Sequence, residues 1–422
     1  MKFQPPSVPG PAAPVPSQSP AQASEPAQAS EPAQALDLSP SNQDQNSFGA
    51  PAAPHPAGSA PSLPAEQTPQ VTSESGVPAQ QTPPAQAYDA APFETRRQFT
   101  QSQEPQGAAA RDALARVRAE VAKAVVGQDS AVTSLIIALL CRGHVLLEGV
   151  PGTAKTLLVR SLAQCLELDT KRVQFTPDLM PGDITGSLIY SAKTEDFTFK
   201  HGPVFTNLLL ADEINRTPPK TQASLLESME ERQVSVDGTP LPLPDPFMVI
   251  ATQNPVEFAG TYPLPEAQLD RFLLKVNLDI PQREQEVEVL FRHAHGFNPQ
   301  DLAGAGMRPV ATAKDLEEAR AQVAKVQVGP EVLAYIVDVC RATRTAPSLA
   351  MGVSPRGATG LLAAARAWAW LVGRNFVTPD DVKALVPTTL GHRVKLRSEA
   401  ELEGVTVASV LATVLASVPV PR

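Results

Sequence analysis

Thirteen residues constrain this chain more than any other stretch: His144-Val-Leu-Leu-Glu-Gly-Val-Pro-Gly-Thr-Ala-Lys-Thr156. The apolar run Val145 to Leu147 predicts a short buried strand. It breaks into a loop of Gly149, Val150, Pro151, Gly152, Thr153 and Ala154, which closes on Lys155 and Thr156. Leu157, Leu158, Leu162 and Leu166 then follow helical spacing. Strand, glycine loop and a helix opening on Lys-Thr form a P-loop. Its glycines let backbone N–H groups turn toward phosphate oxygens, and the helix N-terminus adds partial positive charge. Lys155 then reaches the β- and γ-phosphates of a nucleotide, while the Thr156 hydroxyl holds Mg²⁺. Ala154 departs from the usual pattern, which has glycine immediately before the lysine. Alanine is the next smallest side chain and is expected to suit the start of a helix. The bland alternative is an ordinary Gly-rich turn between a strand and a helix.

The second landmark is Leu208-Leu-Leu-Ala-Asp-Glu213, a fully apolar strand ending in two carboxylates. Beside a bound phosphate, Asp212 can order the Mg²⁺ shell and Glu213 can polarise a water for attack on the γ-phosphate. Phe247 to Thr252 predicts another buried strand, running into Gln253-Asn254-Pro255. A strand-end amide at Asn254 can hydrogen-bond the attacking water or the γ-phosphate, although Asn-Pro also simply marks a turn. Arg271 sits at a surface corner within Leu269-Asp-Arg-Phe272. It is either a solvated charge or, in an oligomer, a group that reaches a neighbour's γ-phosphate. Ser354-Pro355-Arg356 is a helix start that puts Arg356 on a first turn, where it can face phosphate.

Residues 1 to 106 are rich in Pro, Ala, Gln and Ser, hold nearly half of the chain's 44 prolines, and repeat Ser-Glu-Pro-Ala-Gln-Ala in tandem from Ser24 and Ser30. So little apolar surface cannot offset chain entropy, and a disordered tail is expected, with Phe93 to Phe99 its one candidate docking stretch. Order is expected from Ala108, where Leu114, Val117, Val121 and Val125 share a helical face. Asp129 or Ser130 is expected to cap the next helix. A second strand is expected at Arg172 to Phe175. Residues 176 to 207 read as an insertion with a hairpin, Leu188 to Tyr190 against Phe197 to Phe199, that either grips a partner or packs on its own domain. Asp237-Gly238 predicts a second hairpin through a type I′ turn, and its prolines at 240, 242 and 244 confine the second arm to an edge. A last strand is expected at Leu273 to Leu278. After Pro281 the strand signals stop, and helices are expected at Arg283–His293, Ala313–Val326, Pro330–Thr343, Pro355–Val372 and Pro379–Leu385.

The formal net charge of -9 and pI of about 5.3 give no chain-wide basic field for nucleic acid or acidic membrane. Cys141, Cys165 and Cys340 are scattered without CxxC spacing, so buried thiols are expected rather than disulfides or zinc. His293 and His295 have no third ligand nearby to make a metal site. No apolar run is long enough to span a bilayer, and the N-terminus lacks the apolar block of a secretion signal. A cytoplasmic location is the expectation.

Taken together, the motifs resemble the AAA+ ATPases and, within them, the MoxR family, over roughly residues 108 to 420. The residues that carry the resemblance are Val126-Gly127-Gln128, Gly149 to Thr156, Phe175-Thr-Pro-Asp-Leu-Met-Pro-Gly-Asp183, Leu210 to Arg216, Ala251 to Pro255, Pro265 to Phe272, and Gly352-Val-Ser-Pro-Arg356. The resemblance implies ATP and Mg²⁺ as ligands and assigns roles position by position. Val126, Gly127 and Gln128 border the adenine, Gly149 to Thr156 are Walker A, Asp212 and Glu213 are Walker B, and Asn254 is sensor 1. Arg271 looks like the arginine finger that acts on a neighbouring subunit, and Arg356 resembles sensor 2. The implied architecture is an α/β P-loop core with a parallel sheet (107–281) and a C-terminal all-helical lid domain (282–422), behind the 1–106 tail. The implied assembly is a homo-oligomeric ring, commonly a hexamer, whose two hairpins touch a protein client.

The leading expectation is therefore ATP-driven, chaperone-like remodelling of a client, with a von Willebrand factor A domain protein as partner. The alternative is a nucleic-acid-associated AAA+ motor or transcription activator. Nucleic acid is not expected as a partner, given the acidic balance and the lack of a helix-turn-helix appendage or a Gly-Ala-Phe-Thr-Gly-Ala loop. A nucleotide-gated scaffold with little turnover is a third reading, opposed by the intact Asp212-Glu213 pair.

Overall fold

Apolar strands too short to be helices, alternating with amphipathic helices, build a parallel sheet with helices on both faces. A computed structural model describes residues 108–193, 195–254 and 260–421. The expected tail, its Phe93–Phe99 stretch and Pro255 lie outside them. All described residues fall within one compact unit, Pro92–Arg422.

Helices α1 (Ala108–Val121) and α2 (Asp129–Leu140) precede β1 (Val145–Glu148), α3 (Lys155–Leu166) and β2 (Thr170–Gln174). A short α4 (Pro181–Thr185) and the hairpin β3 (Gly186–Ser191) and β4 (Asp196–His201) follow, then β5 (Leu208–Asp212) and α5 (Pro219–Glu231). The second hairpin is β6 (Gln233–Val236) and β7 (Thr239–Pro242); β8 (Met248–Gln253), α6 (Glu266–Leu269) and β9 (Leu274–Asn277) complete the core. The C-terminal part holds α7 (Arg283–Ala294), α8 (Ala313–Val323), α9 (Pro330–Thr345), β10 (Leu349–Met351), α10 (Pro355–Leu371), α11 (Pro379–Leu390), β11 (Lys395–Leu396), α12 (Ser398–Leu402) and α13 (Val407–Ser417).

The main sheet has the order β2-β5-β8-β1-β9, and all four pairings are parallel. Its residues alternate between two cores, as a period of two requires. Val145 and Leu147, Leu208 and Leu210, and Met248 and Ile250 join the core built with α1, α2, α3 and the C-terminal helices. Leu146, Leu209, Ala211, Val249 and Ala251 face the opposite way, toward Phe175, Ile184, Leu225 and Leu226. Because the strands are parallel, β1, β5 and β8 all end at one edge, where Glu148 lies opposite Gln253 and Asp212 opposite Gln174. Open α/β sheets bind ligands at that edge.

Several local expectations change. Asp129 opens α2 as its first helical residue; the cap position is Gln128, with no side-chain cap bond. Ala154 does not start α3 in helical geometry: it precedes the helix in the left-handed region, at φ 60° and ψ 24°. The C-terminal part is helical but also contains the small antiparallel ribbon β10–β11, although strand signals stop after Pro281. Helix α11 runs on through Pro387 to Leu390. Packing of Val386 and Leu390, both fully buried, outweighs the one missing N–H. The Asp237-Gly238 turn has φ values of 48° and 75°, the two positive angles that a type I′ turn needs.

Candidate active site

A cavity of about 880 Å³ opens at the carboxyl edge of the sheet. One wall is the loop after β1, from Pro151 to Thr156. Gly149 lies beneath that loop, where an added Cβ would fall 2.7 Å from the Leu278 carbonyl oxygen, so only glycine fits. Gly152, at φ 89°, leaves open space where a side chain would project. Thr153 Oγ1 donates to the Val150 carbonyl at 3.0 Å and tightens the turn. The Lys155 ammonium donates to the Gly149 carbonyl, so it folds back over the loop it would share with a phosphate.

Asp212, Glu213 and Asn254 line the same cavity. Thr252, fully buried at the end of β8, ties the first two together. Its hydroxyl donates to Asp212 Oδ1 at 2.5 Å and accepts from the Glu213 backbone N–H at 2.9 Å. Glu213 sits at φ 57° and ψ 50°, a left-handed conformation that costs a non-glycine residue about 1–2 kcal/mol. Strain of this kind collects where surrounding bonds over-determine a functional side chain. Here Gln174 Nε2 reaches Glu213 Oε2 at 2.6 Å and Arg216 Nε lies 3.0 Å from the same oxygen. Arg172 bonds Asp212 Oδ2 at 2.7 Å through Nη2 and at 3.1 Å through Nε.

Arg172, Gln174 and Thr252 were not anticipated as site residues. They become visible only once β2 and β8 are known to flank β5. The far wall was not anticipated either: Glu286, Val289, Leu290 and His293 of α7, with Pro281 and Phe297, close the cavity opposite the loop. Val126 and Gln128 line the cavity beside this wall, and Gln128 Nε2 donates to the Asp279 carbonyl at 3.1 Å. Gly127 stands between them at φ 76°.

The donors suit a magnesium nucleotide. Thr156 and Asp212 both border the cavity and offer hard oxygens, which is what Mg²⁺ takes while keeping several waters and substrate phosphates in its shell. Among the described residues, no group of three or more His, Cys, Asp or Glu could hold a metal by itself. His293 packs edge-on against Phe297, and His295 stacks on Phe291. All three cysteines are free. Burial pushes the Cys141 and Cys165 thiols up to about 12 and Cys340 to about 11, so none is poised as a nucleophile.

Arg271 and Arg356 do not border this cavity. They meet each other instead, at Glu230 near the end of α5. Arg271 Nε lies 2.7 Å from Glu230 Oε2, and Arg356 Nη1 lies 3.1 Å from Oε1. The Arg271 hydrogen bond, the largest lowering influence, and the Arg356 charge hold the Glu230 carboxyl below its ordinary value. Arg232, two residues beyond Glu230, donates to the Arg142 carbonyl.

A P-loop at the edge of a five-stranded parallel sheet, an Asp-Glu strand end beside it and a helical C-terminal part define an AAA+ ATPase. The model of the ATPase family associated with various cellular activities (AAA) matches residues 144–274, and the AAA lid domain matches residues 341–414. The chain is 43% identical over 318 residues to Chaperone MoxR1 of Mycobacterium tuberculosis, covering 73% of this chain and 82% of that protein. It is 34% identical over 338 residues to Protein MoxR of Methylorubrum extorquens, covering 74% and 96% respectively. A crystal structure from Cytophaga hutchinsonii matches with a TM-score of 0.70 at 41% identity, covering 75% of this chain and 97% of that one. The chain belongs to the MoxR family of AAA+ ATPases. No helix among the described residues is long and apolar enough to cross a membrane.

Proposed function

We propose that this chain hydrolyses ATP at the cavity between the Lys155 loop and the Asp212–Glu213 strand end, and uses the energy to remodel or assemble a client protein. The observation that carries this reading is Glu213 held in a strained backbone conformation by Thr252, with its carboxylate gripped by Gln174 and Arg216 at the cavity wall. The loop amides and Lys155 cradle the phosphates. Thr156 and Asp212 hold the metal ion, which when bound neutralises charge on the β- and γ-phosphate oxygens. Glu213 accepts a proton from the attacking water, and Asn254 orients that water. Val126, Gly127 and Gln128 border the base. Core and lid correspond to 107–281 and 282–422.

Neither Arg271 nor Arg356 borders the subunit's own nucleotide cavity, which supports a ring, a hexamer in the family pattern, in which these two arginines reach the neighbour's γ-phosphate. The hairpin β3–β4 exposes Leu188, Ile189, Tyr190 and Phe197 at its surface. That apolar face suits contact with a protein client, in keeping with a chaperone as the named role of one relative. A von Willebrand factor A domain protein is the proposed partner, and the cytoplasm the proposed location. Light scattering is expected to find rings with ATP. Glu213→Gln, locked by ATP, is expected to retain from lysate a protein that it releases with ADP. A monomer under all nucleotide conditions, or identical capture with ATP and ADP, contradicts the proposal.

A further inference from the structure

Helix ends prefer one sign of charge: anions at the N-terminus and cations at the C-terminus. Two residues that sit against that preference meet each other. Glu230 is in the last turn of α5, which carries no basic residue, and Arg356 is in the first turn of α10, which carries no acidic one. Each placement costs a few tenths of a kcal/mol or more. Each is relieved by the other, since Arg356 Nη1 lies 3.1 Å from Glu230 Oε1. Glu230's second oxygen takes Arg271 at 2.7 Å. One carboxylate thus holds two guanidinium groups, one on each oxygen, outside the subunit's own nucleotide cavity.

The surroundings fix this cluster. Asp270, adjacent to Arg271, accepts from Ser354 Oγ at 3.0 Å and from Arg393 Nε at 2.6 Å. Arg393 is 3% exposed along its side chain and also donates to the carbonyls of Phe272 and Leu273. The corner carrying Arg271 and the helix start carrying Arg356 are therefore pinned to each other. Both arginines nevertheless remain partly exposed, at 31% and 47%, with guanidinium edges left for an incoming anion.

We propose that Glu230 is a positioning residue that sets Arg271 and Arg356 as a pair against a single anion, the γ-phosphate held by the adjacent subunit. This rests on the reading that both arginines act across a subunit interface. Without the carboxylate, the two cations repel each other and regain their rotamer freedom. Pre-ordering matters because a misplacement of about 1 Å in a catalytic group can cost about 10²-fold in rate.

The test is turnover in assembled rings. Glu230→Ala is expected to lower kcat by up to about 10²-fold while KM for ATP stays unchanged, because Glu230 lies outside the cavity that binds ATP. Glu230→Gln, which keeps one acceptor oxygen, is expected to fall between. Glu230→Ala mixed with Lys155→Ala should regain activity, because the second variant supplies an undisturbed arginine pair to the first variant's nucleotide. Wild-type or raised kcat in Glu230→Ala and Glu230→Gln rings, with Arg271→Ala and Arg356→Ala inactive, overturns the role of Glu230 alone. A mixture that stays inactive shows that Glu230 serves its own subunit's site, and also overturns it. Full activity in Arg271→Ala and Arg356→Ala rings removes the parent reading as well. If Glu230→Ala does not assemble, the isosteric Glu230→Gln carries the same comparison.

Discussion

Ala154 and Glu213 line the same cavity, and both have left-handed backbones. At Ala154 the strain has a simple origin: the loop must reverse before α3 begins, and a glycine would do so freely. Ala154→Gly is expected to stabilise the fold by about 1 kcal/mol at most, since relief of the left-handed penalty is partly offset by glycine's larger unfolded entropy. A thermal or denaturant midpoint measures this, and a lower midpoint would contradict it. Two buried histidines make a second prediction. His144 accepts the Val249 N–H at Nδ1 and so donates from Nε2 to the Met229 carbonyl, while His392 Nε2 meets the Phe272 carbonyl. Burial, the largest influence, lowers His144 to about 4 and His392, which also faces the Arg393 charge, to about 3. Both fold as neutral rings, so their stabilisation is complete above the ordinary value of 6.5 and is lost progressively as pH falls from there to the folded values. The expected loss is about 2 kcal/mol per histidine at about pH 5. Urea midpoints at about pH 7.5 and pH 5 measure it, and equal midpoints would contradict it. The loop residues were legible because their chemistry depends on consecutive positions. Arg172, Gln174 and Glu230 were not, because their partners Asp212, Glu213, Arg271 and Arg356 are distant in sequence and become neighbours only through strand order and helix packing.

The elements with strong local signals appear where the sequence predicts them. The helix expected at Pro355–Val372 runs from Pro355 to Leu371, and the Asp-Gly hairpin has its primed turn. The ribbon β10–β11 was illegible: two- and three-residue strands are too short for a period, and tertiary contacts select them. Helix α12 has only five residues and gives a similarly weak signal. In the β3–β4 hairpin, Tyr190 and Phe197 pack on each other with ring centroids 5.4 Å apart, yet both stay more than half exposed. Replacing Ile189, Tyr190 and Phe197 by serine is expected to change stability little, within about 0.5 kcal/mol per site for surface positions. Basal ATP turnover should persist while stimulation by a client is lost. Unaltered client stimulation would remove the hairpin from the proposed contact.

Across the whole molecule, the lid and core meet through a nearly buried ion pair rather than through apolar packing alone. Arg393 joins the Asp270–Leu273 corner to the end of α11 by five hydrogen-bonded oxygens: one on the Asp270 carboxylate and the carbonyls of Asp270, Phe272, Leu273 and Thr389. Arg393→Met keeps the stem but strands the Asp270 charge and those carbonyls, and is expected to cost about 3–5 kcal/mol. A denaturation midpoint indistinguishable from the parent would show that the lid does not depend on this anchor. The overall plan, a P-loop sheet followed by a helical lid, was legible from motif order. How the lid is bolted to the arginine corner was not, because Arg393 reads in sequence as an ordinary surface charge. The central claim is that Glu213 activates water at the cavity built by the Lys155 loop, and phosphate release by Glu213→Gln compared with the parent chain tests it most directly. The expected result is unchanged ATP affinity with turnover reduced by about 10²-fold or more; near-parental turnover with ATP bound would contradict it.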